Sequence, residues 1–463
     1  MTVAERLAEF LTATAASDLP PLAIDHAAML IASTIASAAY GAGLQSARIM
    51  RDLAREHGGR PDASLWFDSG PGLPVASAAQ VNAMMSDAAA SDDSDLRNII
   101  HAGTPLTAAS LAIAERSGAD GMGVLSAMVC GYEAAGRIGA AITPGFRQRG
   151  FRGCLGAIFA AAVAAGRLLH LDAPRMTQAI ALSATSIGGL AAAANTSVAR
   201  EYHAGLATML GVSAAFAAER GYLAEPGILE TSHGFFEAFG GVDGAAAGAT
   251  ATDGLGQTWD ILTDMAIKLV PGGHPYHAFG EAAANAARAG GITADEVASI
   301  SVSRPGMTAL TGPLHPSDLI GMAHSPAYFI AAGVADHAFS WAHASEAKIA
   351  DPVIHRLIDR IRVEAPSVED AARYRQGATV TVRTLDGRTS SSTVHVPKGA
   401  AMLGIAWRDI DSKYRALVPA SGLSDTAIDA SLAVIHDFRH APKASVLTDL
   451  LRVDRGAAPA GPS

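Results

Sequence analysis

The stretch Gly153–Gly166 reads GCLGAIFAAAVAAG and contains no charged side chain. Arg152 and Arg167 stand on either side of it. Ala is the best helix former, and a helix that is apolar on every side is normally buried. A membrane span needs about 20 residues, which is more than this stretch supplies. We therefore predict a core helix of a soluble protein, packed against other helices.

The chain before about residue 264 repeats this pattern, with Ala-rich segments, few strand signals and breaks rich in Gly and Pro. Such breaks fall at Ser69–Pro74 and Thr143–Gly145. We therefore predict helices packed on helices throughout this part. The predicted helices cover residues 24–40, 75–90, 105–116, 122–140, 155–170, 175–194 and 204–223.

The pattern changes in the middle of the chain. Val297–Ser303 alternates apolar and polar residues, which is typical of a half-buried strand. Thr379–Thr384 and Ser391–Val396 also alternate, and Asp386-Gly387 between them is a strong local signal for a hairpin. Further candidates are a strand at Ile361–Glu364 and helices at 277–289, 322–340 and 352–362. This part therefore predicts a smaller α+β unit.

Helical patterns return at Trp407–Leu417 and Ser424–Asp437. We expect these helices to pack on the N-terminal helical part, which makes the α+β unit an insertion. The predicted domains are 1–265, 266–402 and 403–463, the last ending in a frayed tail. The predicted fold class is thus mainly α with an inserted α+β domain.

The composition is that of a folded globular protein, with 49% hydrophobic and 17% charged residues and a net charge of −10. A net acidic chain has no overall attraction for nucleic acid or anionic lipid, so we expect neither as a partner. The two cysteines, Cys130 and Cys154, exclude a disulfide scaffold and are expected to be buried thiols. Glu5, Arg6 and Glu9 interrupt any apolar region of a signal peptide, and we expect a cytoplasmic protein.

The sequence has no phosphate-binding loop, dinucleotide-binding loop, nucleophile elbow or zinc-protease motif. What remains is a group of polar residues in apolar or Gly-rich surroundings. The first set is the acidic run Ser91–Asp95, followed by His101. The run either caps the helix that begins near Pro105, or lies on a solvated loop, or supplies a carboxylate that orients His101 as a general base.

Two further sets contain arginines. Three arginines lie in Arg147–Arg152, just before the apolar helix, where they and the helix N-terminus could hold an anion. The alternative there is a solvated basic loop. Arg200, Tyr202 and His203 could bind a carboxylate and supply a proton, whereas a lone His in this context is more often a hydrogen-bonded core residue.

The fourth set lies in Lys268–His277, which reads KLVPGGHPYH. A Pro-Gly-Gly turn places His274 and His277 near Lys268 at the junction of the two predicted units, and clefts between domains are favoured ligand sites. The His-x-x-His pair could instead bind a metal, although no further ligands stand at a recognisable spacing. Ser325 is a fainter candidate.

Taken in order along the chain, these motifs resemble those of the MmgE/PrpD family, which includes 2-methylcitrate dehydratase, cis-aconitate decarboxylase and iminodisuccinate epimerase. The resemblance covers nearly the whole chain. The residues that carry it are Asn82, Asp92-Asp93-Ser94, His101–Pro105, Tyr202–Gly205, Lys268–His277, Gly387-Arg388 and Trp407–Tyr414.

The resemblance implies a large helical domain made from both chain ends and an inserted α+β lid. It also implies a homodimer, an active site in the cleft between the domains, and no metal or organic cofactor. This chain has Asp95, Arg152 and Arg200 where many relatives have His, His and Lys. Arginine keeps a positive charge for carboxylate binding but is a poor proton shuttle.

Together, the residues and the resemblance predict a cofactor-independent lyase, a dehydratase or decarboxylase, that abstracts a proton beside a carboxylate of a small di- or tricarboxylate. Asp93 is expected to orient His101 as the base. The predicted proton-transfer residues are His101, Asp93, Lys268, His277, His274 and Tyr202. The predicted substrate-binding residues are Arg200, Arg152, Asp92, His203 and Ser325. The alternatives are an epimerase or isomerase of a dicarboxylate and a non-catalytic carboxylate-binding homologue.

Overall fold

The computed structural model describes residues 1–192, 197–365 and 371–453. The chain divides into two compact units: Met1–Ile267 together with the segment from Ile405 onward, and Lys268–Gly404. Most described residues are helical, which agrees with the predicted mainly α class. Asn195, Thr196 and the predicted frayed tail at 456–463 lie outside the described residues.

The first unit is a helical body with one short buried sheet. Its helices up to residue 267 are α1 (Val3–Ala13), α2 (Pro21–Gly41), α3 (Gln45–His57), α4 (Val75–Ala88), α5 (Gly103–Ser117), α6 (Gly121–Ala141), α7 (Gly145–Gln148), α8 (Cys154–Leu168), α9 (Ala173–Ala184), α10 (Ala199–Glu219), α11 (Gly244–Thr252) and α12 (Asp260–Thr263). The sheet pairs β1 (Asp93–Asp95) antiparallel with β2 (Met265–Ile267), and both strands are fully buried.

Helix α8 carries the apolar stretch, and every residue of it except Arg167 is buried. It packs chiefly on α6 and α10. A Cβ atom added at Gly131 of α6 would lie 2.7 Å from the carbonyl oxygen of Ala160. One added at Gly211 of α10 would lie 2.6 Å from the carbonyl oxygen of Ile158. Both distances are shorter than real Cβ contacts, so this close packing requires glycine, and the prediction of a core helix is confirmed.

The second unit packs helices on a four-stranded sheet in the order β4-β3-β5-β6. Its strands are β3 (Val297–Ser303), β4 (Ile361–Val363), β5 (Ala378–Thr384) and β6 (Thr389–Val394). Its helices are α13 (His274–Gly290), α14 (Leu319–Ala323), α15 (Pro326–Asp336), α16 (Glu346–Ile349) and α17 (Pro352–Ile358). Strands β3 and β4 are parallel, and the other pairs are antiparallel. The predicted hairpin joins β5 and β6, and it pairs Arg383 with Thr389 across the Asp386-Gly387 turn.

The returning segment adds α18 (Trp407–Leu417), α19 (Asp425–His436) and α20 (Ser445–Thr448) to the first unit. Helix α18 packs on α2 through Ile410, Tyr414 and Leu417, all of which are buried. The spacing of these three residues places them on one face of the helix.

Several predicted elements differ from the observed ones. The helix predicted over 175–194 ends at Ala184. The helix predicted over 322–340 is broken at Ser325, because Pro326 has no N–H group and therefore begins a new helix. The segment 352–362 is a helix to Ile358 followed by a strand. Strand β1 was not predicted, because its sequence Asp-Ser-Asp has no apolar alternation.

Helix α2 is the one helix in the described ranges that is long and apolar enough to cross a membrane. Asp25 and His26 lie in its first turns, and the rest of the helix carries no charge. Within the protein, 89% of its most apolar window is buried. That burial is the property of a core helix, which passes the same length test.

Candidate active site

The segment from β1 to α5 folds back on itself and brings His101 beside Asp92 and Asp93. The turn is closed by two backbone hydrogen bonds, from Asp95 N to the Ile100 oxygen at 2.9 Å and from Ile99 N to the Asp95 oxygen at 2.7 Å. The Asp95 carboxylate strengthens it by accepting from the N–H groups of Arg97 and Asn98 at 2.8 and 3.1 Å. An aspartate that bonds the backbone two or three residues on is a common way to fix such a turn.

The His101 ring has a defined orientation. Its Nδ1 lies 2.7 Å from the backbone oxygen of Asp93 and 3.0 Å from a carboxylate oxygen of Asp92. A carbonyl oxygen only accepts, and so does an ionised carboxylate. Nδ1 must therefore carry the proton, and in the neutral ring the lone pair is on Nε2.

The carboxylate that orients His101 belongs to Asp92, not to Asp93 as predicted. Both Asp93 carboxylate oxygens accept from Gly103 N, at 2.9 and 3.0 Å, and Tyr132 Oη donates to one of them at 3.4 Å. The Asp93 carboxylate thus caps the N-terminus of α5, which is one of the roles predicted for the acidic run. The backbone oxygen of Asp93 makes the contact with the imidazole. Sequence alone could not distinguish two adjacent aspartates, because their directions depend on the pairing of β1.

A small cavity of about 30 Å³ lies next to His101, where α5, α8 and α10 meet the end of α4. The residues that line it are Asp87, His101, Pro105, Arg152, Gly153, Cys154, Ala157, Arg200, His203 and Ala204. Four of the predicted site residues therefore meet here: His101, Arg152, Arg200 and His203. The N-terminal turns of α5 and α8 both face this cavity, and helix N-termini favour negative charge.

Asp87 is a cavity residue that the sequence analysis missed. It is buried at the end of α4, and its carboxylate lies 3.0 Å from Arg200 Nε. Arg200 Nη2 also donates to the backbone oxygen of Asp87 at 2.8 Å. Burial lowers the pKa of Arg200, but the carboxylates of Asp87, Glu201 and Asp92 together more than offset this, and the net direction is upward. One signal was available in the sequence, since Asp87 is the one charged residue in α4.

His203 and Tyr202 are neighbours on α10 but face different surroundings. His203 lines the cavity, and its Nδ1 is buried without a hydrogen-bond partner in the described part of the chain. Burial lowers the pKa of His203, and Arg152 lowers it further, so the ring is neutral near pH 7. Tyr202 is 45% exposed and does not line the cavity, because consecutive helical residues are rotated by about 100°. The structure therefore separates the predicted Arg-Tyr-His set.

Cys154 also lines the cavity, at the first residue of α8. Its Sγ lies 3.3 Å from the backbone oxygen of Gly188. Burial raises the pKa of this thiol to about 12 and that of Cys130 to about 11. Both cysteines are buried and unbridged, in agreement with the predicted buried thiols.

The remaining predicted residues lie in the α+β unit. Lys268, His274 and His277 are each at most 5% exposed. The two imidazole centroids are 4.5 Å apart, and His277 Nε2 lies 3.3 Å from the backbone oxygen of Gly272. Ser325 is fully buried, and its hydroxyl caps α15 by accepting from Tyr328 N at 3.1 Å. The contacts of Ser325 thus indicate a structural role.

Three side chains have ligand atoms close enough to share a metal ion. Those of Asp87, Asp92 and His101 all lie within 4.8 Å of one another. However, the Arg200 guanidinium is already against the Asp87 carboxylate. A cation bound by these three residues would compete with Arg200 for the Asp87 carboxylate and, if bound at His101 Nδ1, would also displace the proton there. The donor set therefore suits proton and carboxylate chemistry better than a resident metal.

A buried ionic network lies behind the turn that holds His101. Arg97 pairs with Asp260 at 2.6 Å, and Asp95 is fully buried with one carboxylate oxygen unpartnered among the described residues. Burial raises the pKa of Asp95 to about 7, against the lowering effect of Arg97, and Asp264 raises it further. This group therefore titrates near neutral pH, next to the turn that positions the imidazole.

A larger open cavity of about 870 Å³ lies elsewhere on the first unit, beside Arg149, His233 and Glu237. Its lining includes Arg149 of the predicted arginine set, but none of the residues predicted for proton transfer or substrate binding. It also has more carboxylates than cations along its walls, which does not suit an anionic ligand. The candidate active site is therefore the smaller cavity at His101.

Comparisons with known proteins match both parts of the chain to one family. A family model described as the MmgE/PrpD N-terminal domain matches residues 5–246, and the MmgE/PrpD C-terminal domain matches residues 271–437. The chain is 29% identical over 269 residues to a cis-aconitate decarboxylase of Aspergillus terreus and equally to that of a strain of the same species. The match covers 55% of this chain and 54% of the relative, so the chain spans about half the length of either curated relative.

Proposed function

Because the chain belongs to the MmgE/PrpD family, we propose that it is a lyase of the dehydratase or decarboxylase type. Its substrate is a small di- or tricarboxylate, and its first step creates a carbanion or enolate beside a carboxylate. The reaction uses side chains alone, without a metal or an organic cofactor. The family match and the decarboxylase relative support the lyase class.

The observation that carries this proposal is the fixed tautomer of His101. With Nδ1–H held by the Asp93 carbonyl and the Asp92 carboxylate, Nε2 is the basic atom. The carboxylate also stabilises the imidazolium that forms when Nε2 takes a proton. In a dehydration, Nε2 removes the C–H proton, the β C–O bond breaks, and a second group protonates the leaving hydroxyl to give water. In a decarboxylation, His101 must begin as the imidazolium: CO₂ leaves first, and Nε2–H then gives its proton to the carbanion.

The cavity supplies positive potential for the substrate carboxylate. Arg152 lines it, and the N-terminal turn of α8 begins at Cys154 beside it. A guanidinium can bind a carboxylate in a bidentate manner, and preorganised positive charge stabilises an enolate as it forms. Neutral His203 offers a further hydrogen-bond donor. A volume of about 30 Å³ accommodates a carboxylate group rather than a whole substrate, so the rest of the ligand must extend out of the cavity.

The acid that completes the reaction is proposed among Lys268, His274 and His277. These three residues of the α+β unit have the required proton-donating side chains, and they are buried and close in sequence. We also propose a cytoplasmic homodimer that binds neither nucleic acid nor membrane. The acidic composition and the two buried thiols support this placement. Light scattering of the purified protein tests the dimer.

Two alternatives have a specific observation behind them. The family resemblance places Arg152 and Arg200 where many relatives have His and Lys, and arginine transfers protons poorly. An epimerase needs a base and an acid on opposite faces of one carbon, and a binding protein needs neither. The experiment that tests the lyase therefore also distinguishes the epimerase and the binding protein.

The test is NMR in D₂O with a panel that includes 2-methylcitrate, cis-aconitate and iminodisuccinate. Deuterium beside a carboxylate in recovered substrate or in an epimer establishes proton abstraction, whereas deuterium in a decarboxylated product reports protonation of the carbanion. The product identifies dehydration, decarboxylation or epimerisation. His101→Gln should lower the rate by about 10²–10⁴-fold, which is the usual contribution of a general base. His57→Gln, at an exposed histidine of the same unit, is the matched control. If a ligand that raises the melting temperature shows neither exchange nor turnover, the protein is a carboxylate-binding homologue.

A further inference from the structure

Lys413 is a buried cation that the proposed reaction does not use. It lies on α18, and only 1% of its surface is exposed. Its Nζ donates to Ser33 Oγ at 2.7 Å and also to the backbone oxygen of Ser91. Ser91 is 322 residues away in sequence, so the returning segment reaches directly to the acidic run.

Two hydrogen bonds fix Ser91, which directly precedes Asp92, the residue that orients His101. Its carbonyl accepts from Lys413, and its hydroxyl donates to Ser37 Oγ at 2.9 Å. Ser33 and Ser37 are one turn apart on the same face of α2. The backbone at Ser91 is therefore anchored between α2 and α18, and Asp92 follows it directly.

We propose that Lys413 is a positioning residue, which fixes the Ser91 peptide and thereby holds Asp92 against His101 Nδ1. Its catalytic meaning rests on the proposed function, but its effect on the imidazole does not require a substrate. Lys413 is not among the residues that line the cavity.

A cation, rather than a neutral donor, suits this place for an electrostatic reason. Asp92, Asp93 and Asp95 follow Ser91 within four residues, and each is at most 1% exposed. Burying several carboxylates together disfavours their ionised forms. A buried ammonium on the same backbone segment opposes that effect and favours an ionised Asp92, which accepts the Nδ1 proton. Conversely, the acidic run supplies the negative charge that a buried lysine needs.

The experiment reads the tautomer of His101 by ¹⁵N NMR of the full chain labelled at histidine. The spectrum of His101→Gln assigns the signal. In the unmodified protein, neutral His101 should be almost entirely in the Nδ1–H form. Lys413→Met removes the charge and both hydrogen bonds but keeps the length of the side chain, and it should raise the Nε2–H population about tenfold. Lys443→Met, at an exposed lysine of the same unit, should leave the tautomer unchanged.

A folded Lys413→Met protein that keeps a single Nδ1–H tautomer overturns the proposal. If circular dichroism shows that Lys413→Met does not fold, Ser33→Ala takes its place, since it removes one acceptor and keeps the cation. It should produce a smaller shift in the same direction, and no shift overturns the proposal. Failure of the proposed function gives a different result from failure of this proposal. If Lys413→Met shifts the tautomer but His101→Gln retains full C–H exchange, the positioning role stands and the assignment of His101 as the base fails.

Discussion

Arg200 and Asp87 form an ion pair inside the candidate active site, with Arg200 Nε 3.0 Å from a carboxylate oxygen of Asp87. Arg200 was predicted to bind a substrate carboxylate. In the structure its charge is balanced by a protein carboxylate, and a substrate would have to compete with Asp87 for the same guanidinium. The pair therefore explains how the protein keeps an arginine in a cavity next to an apolar helix.

Breaking this pair from either side should destabilise the protein. Asp87→Asn or Arg200→Met leaves one mostly buried charge uncompensated, and each should lower the free energy of unfolding by about 2–4 kcal/mol. The double variant should lose less than the sum, with a coupling energy of about 1–3 kcal/mol. Urea unfolding of the four proteins measures this. Strictly additive losses would show that the two groups do not stabilise each other.

Arg152 should control the affinity for carboxylates. Arg152→Met removes the cation and should raise KM, or the Kd of a bound tricarboxylate, by about 10–100-fold, in line with loss of a charge-assisted hydrogen bond. Arg149→Met is the control, since Arg149 lies three residues away and donates to the backbone oxygen of Ala238. The shift in melting temperature on adding ligand reports the affinity. Equal effects of the two variants would exclude a specific role for Arg152.

Asp95 should make the stability fall as the pH rises toward neutrality. Its pKa is about 7 in the folded protein, above its ordinary value of 3.8, because of burial. Between about pH 4 and pH 7 the folded chain therefore binds a proton that the unfolded chain has lost, and stability decreases through this window. The slope from one such group is at most about 1.4 kcal/mol per pH unit.

The difference between the unmodified protein and Asp95→Asn isolates this effect from other titrating groups. The amide oxygen can still accept from Arg97 N and Asn98 N, so the turn is kept while the titration is lost. Urea unfolding at pH 5, 6, 7 and 8 should show a flatter profile for the variant across pH 5–7. Asp52→Asn, at an exposed aspartate, should follow the unmodified protein. Parallel profiles for Asp95→Asn and the unmodified protein would refute the assignment.

The two thiols should be unreactive in the folded protein. Burial raises the pKa of Cys130 to about 11 and that of Cys154 to about 12, so thiolate is scarce at pH 8. A colorimetric thiol reagent should therefore react slowly with the native protein and with two thiols per chain after unfolding in guanidinium. Rapid native modification of one equivalent, localised to Cys154 by mass spectrometry, would mean that the cavity opens readily.

Metal removal should leave the activity unchanged, and added metal should inhibit. Dialysis against EDTA removes no group that the proposed reaction uses. Zn²⁺ can gather Asp87, Asp92 and His101, whose ligand atoms lie within 4.8 Å of one another, and would block the basic Nε2 or the Nδ1 contact. A loss of C–H exchange after EDTA treatment that Zn²⁺ restores would instead identify a metal enzyme.

Parts of the fold could be predicted because their signals are local. The Asp386-Gly387 turn between alternating segments fixes a hairpin, and the uncharged run before Arg167 allows only a buried helix. Strand β1 could not be predicted, because Asp-Ser-Asp acquires its extended form by pairing with Met265–Ile267, a segment far away along the chain. Ser325 was predicted to bind substrate, although a Ser-Pro pair before an apolar run is also typical of the start of a helix.

The sequence by itself determined which residue types are available for chemistry: a histidine near an acidic run, arginines before an apolar helix, and a second histidine followed by Ala-Gly. It also determined the mainly helical class, since helix propensity and periodicity act over a few residues. Only the tertiary structure decided which aspartate orients His101, that Asp87 neutralises Arg200, that Tyr202 faces away from the cavity, and that Lys413 anchors Ser91. Each of these depends on a side-chain direction or on a contact between distant segments. Such contacts are set by packing of the whole core, whereas sequence patterns report only on near neighbours along the chain.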